Sequence, residues 1–242
     1  MTKQIDSSLI ILENLTQLEK KLPINNRLQL IQQIVDQGEE GEAALLELLI
    51  NRLIVECRNL DDLDGILFEF LNKTKMSKIK LRLNNSFENG LMNLKPSFKI
   101  YQPLQELLIN HKFEEADRFT QRQLCNLVGL NNKSKRNWLY FTDVFLLPEE
   151  DLLIIDLLWR IYSRGKFGFS VQRQIWLSNN CEWEKFWNII GWENDGTPFR
   201  YPTEFMWNLK APYGHLPLFN QLRGVQVLSA LFNHISWTKL KE

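Results

Sequence analysis

The sequence is short of most features that announce a particular chemistry. Its three cysteines, Cys57, Cys125 and Cys181, stand far apart with no CxxC spacing, which argues against a disulfide framework and a structural zinc site and for a reducing compartment. No HExxH, GxSxG, Walker or Rossmann glycine pattern occurs, so zinc-protease, α/β-hydrolase and nucleotide-binding readings lose their usual signatures. Charge of one sign is not in excess: lysine plus arginine and aspartate plus glutamate number 29 each. No global field therefore recruits nucleic acid or an acidic membrane, and no nucleic-acid partner is expected. No apolar run reaches the roughly 20 residues that span a bilayer. The opening MTKQIDSSLIILENL has neither a signal-peptide layout nor an arginine-rich transit character, so the chain is expected to work where it is made or to be already mature. Aromatic residues are scarce early on: only Phe68, Phe70 and Phe87 precede Phe98, and all eight tryptophans lie from Trp138 onward.

What is present suffices for a globular protein, with 242 residues, 44% of them hydrophobic and 24% charged. Apolar residues three and four apart predict helices throughout. Leu9 to Leu22 forms one, capped by Ser7 or Ser8 and stopped by Pro23, and Asn26 to Gln37 a second, ended by Gly38. After a connector from Gly38 to Glu42, helices follow at Ala43 to Glu56 and Leu60 to Leu71. Lys78 to Leu83 alternates like a strand but has no partner strand, so it reads as a helix. The asparagine-rich stretch Asn84 to Pro96 and the aromatic shift across it predict two domains, 1–90 and 98–242, with the boundary near residue 97. The second opens with helices at Pro103 to Asn110 and Phe113 to Val128, a polar loop from Asn131 to Asn137, and a short helix capped by Thr142.

The densest stretch is Pro148 to Trp176. Leu152, Ile155, Leu158, Trp159 and Tyr162 share one helical face, with Glu149, Glu150 and Asp151 complementing its positive end. Ser163 to Gly168 breaks that helix, and a second buries Phe169, Gln172, Ile175 and Trp176. Asp156 is expected to pair with Arg160 one turn on. Glu182 to Ile190 makes a further helix. The run from Gly191 to His215 then carries Phe199, Tyr201, Phe205, Met206, Trp207 and Tyr213 among three prolines, too much apolar surface for a mere connector. It either folds back as core or walls a pocket. Cys125 with His111 reads as core rather than as a thiol and its base, and His215 as satisfying backbone groups rather than binding metal. The last helix is predicted over Leu216 to Ile235, where Arg223 is the only formal charge and Asn220 and Gln226 flank it. Either a carboxylate of the fold pairs with Arg223, or the three meet the carboxylate of a mostly apolar ligand at the mouth of an aromatic cleft.

These residues resemble a known family. Leu139-Tyr140-Phe141, DLLIIDLLW, FGFSVQRQIW, Gly191-Trp192, APYGHLP and Asn220 to Val225 occur in the order found in the genomes-uncoupled-four family, over residues 100–237. The segment before residue 90 is similar to the amino-terminal bundle of its cyanobacterial and algal members. The resemblance implies an all-α protein, a helical bundle followed by a helical domain with a long ligand loop. That domain would cup protoporphyrin IX and Mg-protoporphyrin IX, with bilins as further candidates, and need no resident cofactor. It implies a regulator, not an enzyme, that stimulates magnesium chelatase with that enzyme's large porphyrin-binding subunit, in a plastid stroma with peripheral membrane association or in a cyanobacterial cytoplasm. Porphyrin contact falls on Phe141 and Tyr201, on Phe205 and Trp207 of the loop, and on Asn220, Arg223 and Gln226 near the propionates. Gln226 stands where some members have a second arginine, which removes one half of a two-arginine clamp. The competing expectation is a helical interaction scaffold without a small-molecule ligand; a tetrapyrrole enzyme ranks third for want of a catalytic residue.

Overall fold

The 3.6-residue periodicity is realised as helices along most of the chain. The structure, a computed structural model, describes residues 2–130, 136–194, 196–218 and 225–239, with side chains from Ser8 onward. It divides into two compact units, Met1–Asn93 and Leu94–Glu242. Among the described residues no helix is long and apolar enough to cross a membrane.

The first unit is an array of α1 (Thr2–Leu18), α2 (Ile24–Val35), α3 (Glu39–Ile50), α4 (Asp62–Asn72) and α5 (Ser77–Ser86). Successive helices pack on one another, and α3 also meets α1 and α5. Leu18, Ile31, Ile34, Leu45, Leu49, Ile66 and Leu67 are buried between them. Some predicted ends move. The first helix starts at Thr2, so Ser8 lies inside it rather than at its start; α3 begins at Glu39, which shortens the predicted connector. Lys78 to Leu83 is helical, with Ile79 and Leu83 inward.

From Asn51 to Val55, α3 widens into a π-helical turn that places Arg52 inside. Its Nε donates to Asp64 at 2.7 Å and its Nη2 to Asp61 at 2.8 Å. Asp61 and Asp64 also form the capping box of α4. One cation thus answers two carboxylates already committed to a helix start. Removing one partner of such a buried pair costs about 3–5 kcal/mol, because the other is left uncompensated.

The second unit begins with a 3₁₀ turn (Pro96–Tyr101), then α6 (Gln102–Ile109), α7 (Phe113–Leu127), α8 (Phe141–Val144), α9 (Glu149–Ile161), α10 (Phe169–Ser178) and α11 (Trp183–Ile190). A two-residue hairpin follows, β1 (Glu193–Asn194) pairing antiparallel with β2 (Thr197–Pro198). The last elements are α12 (Val225–Phe232) and a 3₁₀ turn (Ile235–Lys239). The predicted terminal helix is corrected at both ends: residues 216–218 are not helical, the described helix α12 covers Val225–Phe232, and residues 219–224 of the prediction lie outside the described residues. Thr142 lies within α8 and does not cap it; Tyr140 precedes that helix, and its N–H donates to Asp143 at 2.7 Å.

The core of this unit is centred on α9. Trp159 is fully buried, lies near-parallel to Phe113 with 6.1 Å between ring centres, and donates its indole N–H to Thr120 at 3.0 Å. Asp156, also fully buried, receives the Arg160 guanidinium at 2.9 Å and both the backbone N–H and the hydroxyl of Ser170 at 2.7 Å. Asp156 thereby joins α9 to the start of α10. Gly168, at φ +137, is required at that joint, because a Cβ there would stand 2.8 Å from the Asp156 carboxylate.

Candidate functional site

The hairpin of α9 and α10 fixes the aromatic loop through three groups. Gly168 N–H donates to Leu216 O, and Gly214 N–H to Lys166 O at 2.8 Å. Lys166 Nζ donates to the carbonyls of Leu209 and Ala211 at 2.7 and 2.6 Å. Gln172, fully buried, donates to Gly214 O at 2.9 Å and Pro217 O at 2.8 Å. A long loop can be ordered only if its backbone groups find partners, and here the backbone and side chains of the hairpin supply them. Burial lowers the Lys166 pKa.

His215 completes the clamp. Its Nδ1 lies 2.7 Å from Ile190 O and its Nε2 accepts the Met206 N–H at 3.0 Å. Since a carbonyl only accepts and an amide N–H only donates, the proton sits on Nδ1. Burial lowers this pKa too, which keeps the ring neutral and able to accept. His215 O in turn accepts from Trp192 Nε1 at 2.8 Å. Among the described residues no group of three His, Cys, Asp or Glu side chains is placed to hold a metal.

Anchored this way, the loop has two layers. Trp192, Phe205, Ala211, His215 and Leu216 point inward as core. Tyr201, Met206 and Tyr213 face outward, with Trp207 and Phe199 half-buried between the layers. The loop is therefore both core and exposed aromatic surface. Tyr201, 38% exposed, stands edge-on to Trp207 with 6.1 Å between ring centres. Phe205, only 5% exposed, packs against Trp192, Phe199, Trp207 and His215.

Helix α7 relates this loop to α8. Near its start the guanidinium of Arg118 hydrogen-bonds Tyr201, which raises the arginine's pKa, and it also pairs with Glu114. Seven residues on, burial pushes the Cys125 thiol up to about 11, with Arg136 and Asp143 acting electrostatically on it. Positions seven apart lie on the same helical stripe, about 10 Å along the axis. Tyr201 of the loop and Asp143 of α8 thus act on two residues of α7 seven positions apart. At α8, Phe141 is 44% exposed and Tyr140 more so. Arg136 lies 4.2 Å from the Tyr140 ring centre and 5.0 Å from that of Trp138, and pairs with Asp143 at 2.9 Å. Helix α8 packs on α12, whose Gln226 is exposed.

One residue of this region was not singled out from the sequence. Asp117, on α7, is buried and accepts the Leu218 N–H at 2.6 Å, fixing the chain just before residues 219–224. Burial pushes its pKa up to about 8. Its only advance signal is a carboxylate on the apolar stripe of an amphipathic helix. Asn220 and Arg223 lie outside the described residues. A separate depression of about 350 Å³ beside α11 is lined by Asn179, Glu184, Lys185, Asn188, Ile189 and Glu193; its charged rim and single aliphatic residue suit a flat apolar ligand poorly.

Comparison with known proteins bears on both units. The family described as GUN4-like matches residues 96–235, and the ARM-like repeat domain described as GUN4-N terminal matches residues 11–88. The ycf53 protein of Pyropia yezoensis is 43% identical over 98% of this chain and 99% of its own. The chloroplastic tetrapyrrole-binding protein of Arabidopsis thaliana is 38% identical over 56% of this chain and 54% of its own. The solved structure of GUN4 from Chlamydomonas reinhardtii has a TM-score of 0.52 and 40% identity, covering 57% of this chain and 88% of that one.

Proposed function

The chain belongs to the GUN4-like family, and from that membership we propose that it binds a tetrapyrrole and acts as an accessory protein of magnesium chelatase, not as a catalyst. The observation that carries the reading is the outward aromatic layer of the anchored loop, exposed beside α7 within the family-matched segment. A related protein is named for tetrapyrrole binding. A porphyrin is a flat apolar plate with carboxylates along one edge, so its binder needs broad apolar walls and cations or amides at the rim. Tyr201, Trp207 and Phe141 are the walls in this reading, and Phe205 holds Trp207 and Trp192 in place from behind. Asn220, Arg223 and Gln226 serve the propionates. Arg118 sits beside the Tyr201 hydroxyl as a further rim cation.

Protoporphyrin IX and Mg-protoporphyrin IX are the proposed ligands, with bilins as the open-chain alternative. Burial of several hundred square ångströms of macrocycle contributes about 5–10 kcal/mol before the costs of immobilisation. That range allows retention of a light-sensitive intermediate and its release to the large subunit of the chelatase, in a plastid or a cyanobacterial cell, in solution or at the surface of a membrane. The propionate assignment is tested by titrating wild type and Arg223→Ala with a carboxylated porphyrin and its dimethyl ester. Arg223→Ala is expected to weaken the acid by roughly tenfold, about 1.4 kcal/mol, and the ester little; equal losses would overturn the role. The regulatory reading predicts faster magnesium insertion when the chain is added to purified chelatase, and an unchanged rate would refute it.

A further inference from the structure

The first unit has a surface feature that tetrapyrrole binding does not use. A depression of about 520 Å³ lies between the π-helical turn after α3 and the segment that follows α5. One wall is Leu53 and Ile54; the other includes Asn85, Ser86, Glu88 and Asn93. The π turn accounts for the first wall. Because Arg52 is drawn inward onto Asp61 and Asp64, the extra residue of the widened turn leaves Ile54 48% exposed, and Val55 beside it is exposed as well. The second wall is rich in amide and hydroxyl groups, which donate and accept alike, and Glu88 is the only charge that lines the depression.

We propose that this depression is a docking site for an extended peptide segment of a partner protein, one that carries a basic residue next to an aliphatic one. An extended main chain presents alternating N–H and C=O groups, and amide side chains can satisfy both without a charge penalty. Glu88 complements a Lys or Arg of the segment, and Ile54 with Leu53 receives the neighbouring aliphatic side chain. Phe87 and Leu91 also line the depression but are buried, so it lacks the exposed aromatic platform on which a sugar or a base would stack.

The test uses the full chain, probed against an array of blocked decapeptides of randomised composition and, in parallel, an oligosaccharide array. Peptides containing Lys or Arg beside Leu, Ile or Val are expected to bind. Glu88→Gln is expected to weaken the best of them roughly threefold, as for an exposed ion pair, and Asn85→Ala combined with Asn93→Ala roughly tenfold. Glu88→Gln lies at an exposed position away from the core, and circular dichroism of each variant confirms that the helices persist. Binding of porphyrin should be the same in all variants, which separates this site from the ligand site of the second unit. Absence of peptide binding, selection of acidic peptides, affinity unchanged in both variants, or binding confined to oligosaccharides would each overturn the proposal.

Discussion

At the scale of single residues, Asp117 is the most informative. A carboxyl group that loses water on folding and, among the described residues, gains one backbone N–H favours its neutral form, and its pKa rises from 3.8 to about 8. The folded protein then holds a proton that the unfolded chain releases above the ordinary carboxylate range. Folding takes up that proton across the window between, so stability falls as pH rises from about 4 to 8. Asp117→Asn keeps an acceptor for Leu218 N–H and removes the titration. Thermal unfolding at pH 5 and pH 8 should show a smaller loss of stability in the variant than in wild type, and parallel losses would contradict the assignment. Local pairings were open to sequence reasoning: Asp156 with Arg160 is an i, i+4 pair, and a histidine between a glycine and a bend residue suggested the backbone role that His215 has. Asp117 was not legible, because its partner lies 101 residues away and no local pattern marks it.

Among the elements, helices with a steady apolar stripe were legible and their ends were not. Periodicity located α9 and α10 closely, because Glu149 to Asp151 and the glycines around Lys166 bound them. Serine and threonine were poor guides to helix starts: Ser8 and Thr142 lie inside helices. The terminal helix was drawn from too early a residue because Leu218 fits a helical stripe with Leu222 and Val225 by spacing, yet is buried as part of the loop that Gln172 holds. That anchorage makes a sharp prediction at Gly214. Its φ is +75, and a Cβ would stand 2.8 Å from Ile175 Cδ1 and 2.9 Å from Ile190 Cγ2. Gly214→Ala should destabilise the second unit by about 2–4 kcal/mol through strain and overpacking. Chemical denaturation followed by tryptophan emission would register the loss, and a variant as stable as wild type would show that the loop is not clamped as described.

On the scale of the whole molecule, the aromatic gradient along the chain carries the functional argument. The first unit builds its core mostly from leucine and isoleucine, and the second adds to these many tryptophan, phenylalanine and tyrosine rings. Only the second has aromatic surface to spare after its core is filled. A sequence could show that surplus but not its division into an inner and an outer layer, because loop residues without periodicity give no sign of which way they face. The central claim is that the outer layer receives a porphyrin, and titration of the full chain with protoporphyrin IX tests it most directly. Saturable quenching of tryptophan emission with a shift of the porphyrin's main absorption band is expected, at a Kd of about 1 µM or tighter, because Trp207 lies against Tyr201 and Trp192 packs on Phe205 beside it. Emission that falls only in proportion to added absorbance, with the porphyrin band unmoved, would contradict it.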